Sequence, residues 1–477
     1  MLNELEEKIK KVFPDESVYK TAERYRVFSG KNLPSFIKDW LIKKFTDEYG
    51  DLDKEGLSRF LDDHIPQKDS AIKNRLRTHR EEVTLLTRFI VETDIKNDRL
   101  KFSIPDLGIK ANEGRIPDYI SKKHKELKDG EIWGVITLTY IPPEGMEKGV
   151  IDLIDFKPFK PYTVDIDYFR EARKEFTIEE WINVLIKSME YNPGGFSSLT
   201  QKILFLSRLL IFIEPRLNMI ELAPKGTGKS YVFGNLSKYG WLISGGIVSR
   251  AKLFYDVARN AMGIITMYDF VAMDEIQTIK FSDSNELKGA LKSYLESGVF
   301  TVAKVRQSSP AGVILMGNIS LNEHKKPVRK NYFHELPEVF RESALLDRFH
   351  GFIEGWRLPR IYEGLKIKGY SLNVEYFSEI LHTLRESSIY STIFSDLVDI
   401  PKSADTRDTT AIERLTTAYL KLFFPHVKSI NDIDRNEFNN FCLLPAIEKR
   451  RIIKEQAYLM DPEFKNTAMP DIKLKEF

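Results

Sequence analysis

Residues Ala223-Pro-Lys-Gly-Thr-Gly-Lys-Ser230 follow the apolar run LNMIEL (217–222) and open a stretch of helical periodicity from Lys229. A triphosphate needs several backbone N–H donors converging on its oxygens. A glycine-bearing turn between a strand and a helix supplies them, and the helix N-terminus adds a favourable dipole. On this reading Gly226 and Gly228 allow the tight path through Pro224, Lys225 and Thr227, Lys229 neutralises the β and γ phosphates, and Ser230 ligates Mg2+. Ala223 stands where such loops usually carry their first glycine, and the plain alternative is a Gly-Lys turn without a ligand.

The next motif lies 45 residues beyond Lys229, where Phe270-Val-Ala-Met-Asp274-Glu275 is an apolar run ending in two adjacent acids. A buried strand that finishes so puts Asp274 near the metal and lets Glu275 polarise an attacking water. GVILMGN (312–318) reads as a further strand, ending at Asn318, which is suited to orient the same water. The runs LNMIEL, WLISGGIV (241–248), DFVAMDE (269–275), GVILMGN and FIEGW (352–356) alternate with helical patterns from Lys229, from Arg250 and through Leu287 to Leu295. This alternation predicts an α/β fold with a mostly parallel sheet covered on both faces.

Outward from this core the pattern changes. From Leu2 to about His79 apolar residues recur at three and four, as in Phe36, Trp40, Leu41 and Phe45, predicting short helices. VTLLTRFIVE (83–92), RLKFSI (99–104), IWGVITLTYI (132–141) and VIDLIDF (150–156) are β-branched and aromatic, with turn signals at 96–98 and 142–149, and predict a small β-barrel domain with one helix near 117–128. Barrels of this size include the OB type, and the pattern leaves the topology open. KPFKPY (157–162) reads as a linker, and Thr177 with Glu180 is a capping-box signature. The trial boundaries are 1–80 for the helical module, 81–165 for the β-domain, 166–360 for the α/β core, 361–430 for a helical lid and 431–477 for a helical tail.

Composition sets the outer limits. Hydrophobic residues make up 42% and charged residues 30% of 477, an ordinary globular balance. Lys plus Arg number 72 against 70 Asp plus Glu, a net charge of +2, so any nucleic-acid contact must be a local patch. Cys442 is the single cysteine, which excludes an internal disulfide and a Cys-rich zinc ribbon. The start lacks a signal-peptide core, and the greasiest stretch, 203–213, is interrupted by Ser207 and Arg208 and is short for a membrane span. The expected location is therefore cytoplasmic, away from membranes.

With these motifs the chain resembles the AAA+ ATPases over roughly Phe176 to His426. The resemblance implies ATP and Mg2+ as cofactors, makes Asn318 the sensor 1 position, and gives Arg348, in ALLDRFHGF (344–352), the place of the finger that enters a neighbouring subunit's site. Arg341 is the substitute for that role. TRDTTAIERLTTA (406–418) is similar to the sensor 2 helix of the minichromosome-maintenance (MCM) helicases, with Arg407 as the nucleotide-contacting arginine and Arg414 two turns along the same face. LKSYLESGVFTVAKVRQ (291–307) resembles their pre-sensor hairpin. Strand alternation would set Lys304 and Arg306 on one face able to follow DNA phosphates. ELAPKGTGKS (221–230), SGGIVSRAKLFYD (244–256) and MDEIQ (273–277) resemble the BrxL family, the Lon-like AAA+ component of BREX bacteriophage-exclusion systems.

That resemblance implies a DNA-binding homo-oligomer, a hexameric ring or a stacked double ring around duplex, acting with other BREX components in defence. The protease-type domain common in that family has no counterpart expected in these 477 residues. Two other functions stay open: a Lon-like ATP-dependent unfoldase or protease subunit, and a DNA-binding scaffold assembled by ATP. His334-Glu335 lacks the second histidine of a metalloprotease helix and reads as a surface pair, and the basic cluster 324–330 could touch phosphates but reads at least as well as a solvated loop.

Overall fold

The computed structural model describes residues 3–31, 33–65, 71–94, 97–127, 130–145, 148–258, 261–282, 284–461, 463 and 469–476. They divide into two units, a smaller one of Ala22–Leu33 and Ile37–Thr163, and a larger one of Met1–Thr21, Pro34–Phe36 and Val164–Phe477.

In the smaller unit the β-branched runs form strands β1 (Val83–Asp94), β2 (Arg99–Ile104), β3 (Ile109–Ile116), β4 (Gly130–Ile141) and β5 (Val150–Pro158). They close into a barrel of order β1-β2-β3-β5-β4, antiparallel except where β3 meets β5. Closure removes the exposed edges that an open sheet of this size would present. Its interior is aromatic, with the Phe89 ring edge-on to Phe102 and Phe156 at 6.3 and 5.7 Å. The helix expected near 117–128 is Asp118–Lys123. Short helices Ser35–Lys44, Lys54–His64 and Ile72–Thr78 precede the barrel. Of the turn signals, Lys96 and residues 146–147 lie outside the described residues, while Asp98 turns the chain into β2 at φ 47°.

Two expectations fail here for packing reasons. The supposed linker 157–162 begins inside the barrel, since β5 runs through Pro158 and Phe159 is buried with its ring 5.2 Å from Trp40. The strand β3 was not expected at all, because IKANEGRI is mostly polar and only Ile109, Gly114 and Ile116 turn inward.

The larger unit holds a five-stranded parallel sheet of β6 (Met219–Leu222), β7 (Gly240–Ser244), β8 (Phe270–Asp274), β11 (Gly312–Gly317) and β12 (Gly351–Glu354). Between β8 and β11 lies a hairpin, β9 (Val299–Val302) and β10 (Val305–Ser308). The sheet order is β12-β6-β11-β8-β7. Phe270, Val271, Ala272 and Met273 are all fully buried, as a central parallel strand covered on both faces requires. Its helices include α1 (Lys229–Asn235), α2 (Ser284–Ser297), α3 (Val374–Arg385), α4 (Thr406–Phe423) and α5 (Leu444–Met460).

The helix expected from Arg250 is a single turn, Arg250–Leu253. Leu253, Phe254 and Tyr255 are consecutively buried, which a helix with one apolar stripe cannot achieve, and the chain leaves as a short extended segment. The capping box at Thr177 and Glu180 does open a helix, Ile178–Ser188, with both reciprocal bonds formed. Ser17–Lys20, inside the supposed helical module, is instead a strand paired antiparallel with Gly369–Leu372. No helix among the described residues is long and apolar enough to cross a membrane.

Candidate functional site

The C-terminal ends of β6, β8 and β11 lie side by side because these strands are neighbours in one parallel sheet, and loops leaving adjacent parallel strands form a crevice there. From β6 the chain runs through Ala223, whose N–H donates to Gly317 O at 3.1 Å, into the glycine-bearing turn. Gly226 and Gly228 have φ of 82° and 77°, left-handed values that side chains with a Cβ rarely adopt. Thr227 Oγ1 donates to Pro224 O at 3.3 Å, closing the turn beside Lys225. α1 then starts at Lys229.

Lys229 is 7% exposed and its Nζ donates to Asn318 Oδ1 at 3.2 Å. Burial lowers its pKa, against the pull of Glu221, Asp274 and Glu275. Ser230 Oγ donates directly to Asp274 Oδ2. Asp274 ends β8, and its other oxygen accepts the Glu275 N–H at 2.8 Å. Glu275 itself is left-handed, φ 47° and ψ 47°, an uncommon setting for a residue with a side chain and one that clusters at functional sites. The structure therefore brings Lys229, Ser230, Asp274, Glu275 and Asn318 into one crevice.

Three residues that sequence reasoning missed hold this crevice. Arg208 and Glu221 form a fully buried two-pronged pair, Nη2 to Oε1 at 2.5 Å and Nε to Oε2 at 3.1 Å, and Arg208 Nη1 donates to Thr227 O at 2.9 Å. This ties the strand before the turn to the turn itself. The signal was present, since Arg208 interrupts an apolar run and Glu221 sits in a strand that is otherwise buried. Gln277 clamps the Asn318 backbone, Nε2 donating to its carbonyl at 2.8 Å and Oε1 accepting its N–H at 3.2 Å. No local pattern announces that pairing.

The remaining candidates lie elsewhere. Arg348 and Arg407 meet at one carboxylate, Glu296 at the end of α2, with Nε at 2.7 Å and 3.2 Å from Oε2. Arg407 also pairs with Asp347 at 3.0 Å. Although burial opposes its charge, these two acids raise its pKa. They line a cavity of about 140 Å3 that contains none of the residues 223–230. Arg341 donates to Leu336 O at 2.6 Å, and Arg414 to Pro215 O at 2.8 Å. Arg306 is on β10, whereas Lys304 occupies the two-residue turn Ala303-Lys304 at the hairpin tip, with Ala303 at φ 53°. Strand alternation thus does not set Lys304 on a shared strand face with Arg306.

A hydroxyl and a carboxylate in direct contact offer the hard oxygen ligands that Mg2+ takes alongside phosphate oxygens and water, so Ser230 and Asp274 fit that ion. Glu221, Asp274 and Glu275 favour the charged form of Lys229 against its burial, which places a cation where phosphate charge would fall.

A family model described as "Lon-like protease BrxL-like, ATPase domain" matches residues 151–470. A second, "BREX system Lon protease-like protein BrxL N-terminal", matches residues 11–140. A "Lon-like protease BrxL" of Escherichia coli O9:H4 (strain HS) is 30% identical over 438 residues, covering 90% of this chain and 61% of that protein. One of Bacillus cereus (strain H3081.97) is 27% identical over 442 residues, covering 90% and 63%. An "Uncharacterized protein 440" of Sulfolobus islandicus rod-shaped virus 1 is 26% identical over 227 residues, 43% of this chain and 50% of its own. The chain spans about three fifths of the length of the two BrxL relatives.

Proposed function

The chain belongs to the BrxL family, with residues 151–470 as its ATPase domain, and from that premise we propose that it is an oligomeric AAA+ ATPase that binds duplex DNA in an MCM-like ring and acts in BREX anti-phage defence. The observation that carries the ATPase part is the meeting of Lys229, Ser230, Asp274 and Asn318 at the ends of three adjacent parallel strands. Lys229 and the turn Pro224–Gly228 hold the triphosphate of ATP, and Ser230 and Asp274 hold Mg2+, which neutralises charge on the phosphates. Glu275 takes the proton of the attacking water, and Asn318, fixed by Gln277 and Lys229, orients that water.

Arg348 and Arg407 act on the nucleotide of a neighbouring copy. Their partners in this chain are Glu296 and Asp347 rather than the residues of its own turn, which supports a role in trans. A positive group aimed at a transferring phosphoryl is worth about 10³ to 10⁵ in rate in systems where it has been removed. In this reading residues 166–360 are the AAA+ core, 361–430 the lid, 431–477 a C-terminal tail, and the barrel the counterpart of an OB-like helicase collar. Lys304 and Arg306 follow DNA phosphates in the channel of a hexameric ring or a stacked double ring in the cytoplasm, with other BREX components as partners.

Electron microscopy of the purified protein with duplex DNA and a non-hydrolysable ATP analogue tests the proposal. A closed ring threaded by duplex is expected. A ring that ignores duplex and holds polypeptide would transfer the assignment to the Lon-like unfoldase reading that the relatives' printed names suggest.

A further inference from the structure

Glu190 is a buried acid that the proposed reaction does not use. It follows the helix Ile178–Ser188 with φ 72°, a left-handed backbone strained for a residue with a Cβ and maintained only where its surroundings over-determine it. What fixes it is its carboxylate, which accepts hydrogen bonds from Lys20 Nζ at 2.9 Å, from Ser35 Oγ at 2.6 Å and from the Tyr231 hydroxyl. The Ser35 and Tyr231 hydroxyls are themselves 2.7 Å apart. Burial opposes the charge of Glu190, but Lys20 first, and then the two hydroxyls, hold its carboxyl below the ordinary value.

Two routes lead from Glu190 to the phosphate turn. Tyr231 is in the first turn of α1, directly after Ser230. Tyr191, the residue after Glu190, packs its ring 4.7 Å from Phe205 and lays its hydroxyl against Gly228, where any added Cβ would collide with it. That hydroxyl is buried and has no hydrogen-bond partner among the described residues, and burial pushes its pKa up to about 12, so it stays a donor. On the other side of Glu190, Lys20 and Ser35 belong to the larger unit at the two places where the chain leaves it for the smaller: residues 21/22 and 36/37.

We propose that Glu190 is a positioning residue of the nucleotide site, setting Gly228 and the start of α1 through Tyr191 and Tyr231 while Lys20 and Ser35 link that setting to the chain crossings between the two units. The inference rests on the proposed nucleotide site and makes the N-terminal segment part of the machinery that holds ATP. Phosphate oxygens arriving at Gly228 give the idle Tyr191 hydroxyl its nearest acceptor, so ordering of the cluster and binding of nucleotide favour each other.

Equilibrium binding of a fluorescent ATP analogue with Mg2+ to the full chain tests this. Tyr231→Phe removes only one hydroxyl from a partly exposed ring, and is expected to weaken binding about threefold with the melting temperature of the nucleotide-free chain unchanged. Glu190→Gln is expected to weaken it about tenfold. Lys229→Ala serves as the measure of a lost phosphate contact. If wild type binds and both Tyr231→Phe and Glu190→Gln bind as tightly, the positioning role is overturned while the nucleotide site stands. A wild type that binds no nucleotide overturns the proposed function and this inference with it. Should Glu190→Gln fail to fold, Tyr231→Phe decides.

Discussion

Lys449 on α5 is 5% exposed, lines a cavity of about 260 Å3, and makes no hydrogen bond or ion pair with the described residues. Burial pulls its pKa from 10.5 to about 8, with Glu354, Glu221 and Glu448 opposing the fall and Arg357 adding to it. Because the folded value is the lower one, protonation is disfavoured in the fold. The cost is fully present below about pH 8, shrinks as pH rises, and is gone above the unfolded value. The gap corresponds to about 3 kcal/mol at most. Lys449→Met is therefore expected to raise the thermal midpoint at pH 7, and the gain over wild type is expected to vanish near pH 10.5. An equal gain at both pH values would show that packing, not charge, is responsible. Residues of this kind also mark how far a sequence can be read. The turn at 223–230 and the acids at 274 and 275 stand out because their neighbours along the chain define them. Gln277, Glu190 and Lys449 do not, because the partners of the first two lie 41 to 170 residues away and Lys449 has no hydrogen-bond partner among the described residues.

At the scale of elements, legibility followed burial on two faces. β8 and β11 are continuous apolar runs that declare themselves in the sequence, whereas β3 has one polar face and the strand Ser17–Lys20 has only a distant partner, Gly369–Leu372, to define it. The hairpin β9–β10 is legible in its place along the chain but not in its face. Its tip carries Lys304 in the turn, so this residue reaches beyond the strand that bears Arg306. If the hairpin follows DNA phosphates, replacing both residues with alanine should flatten the dependence of log Kd on log salt by about 1 to 2 for each engaged chain. An unchanged slope would remove the hairpin from the DNA interface. Between α4 and α5 the Arg450 guanidinium bridges Asp347 at 2.6 Å and Asp408 at 2.8 Å, both buried. This fixes the turn that carries Arg348, between the helix Ser343–Leu346 and β12. Arg450→Met removes the cation that Asp347 and Asp408 share, while Arg407 still faces Asp347 and Lys454 still faces Asp408, so the cost is expected below the roughly 3 to 5 kcal/mol of leaving a buried charge unpaired. The expected result is a lower melting temperature and a larger loss of ATP turnover than of nucleotide binding. A variant that melts with the wild type would contradict the bridge's importance.

For the whole molecule the central question is which chain completes which site. Lys229 and Asp274 share one crevice, while Arg348 and Arg407 gather at Glu296, so a chain with a broken turn still carries intact arginines. Mixing Lys229→Ala with Arg348→Ala chains should then give more turnover than the average of the two alone, since some neighbours restore a whole site. Simple averaging would place all the working groups in one copy. Ring and duplex were suggested by family likeness in the motifs, and no single residue encodes them, because they depend on surfaces that only assembled copies create. What the chain does carry by itself is the pocket, and Glu275→Gln probes it most directly through paired measurements of ATP binding and phosphate release with saturating Mg2+. Binding within about twofold of wild type is expected, with release slower by about 10² or more, and a Glu275→Gln chain that turns over ATP at the wild-type rate would contradict the assignment of Glu275 as the base.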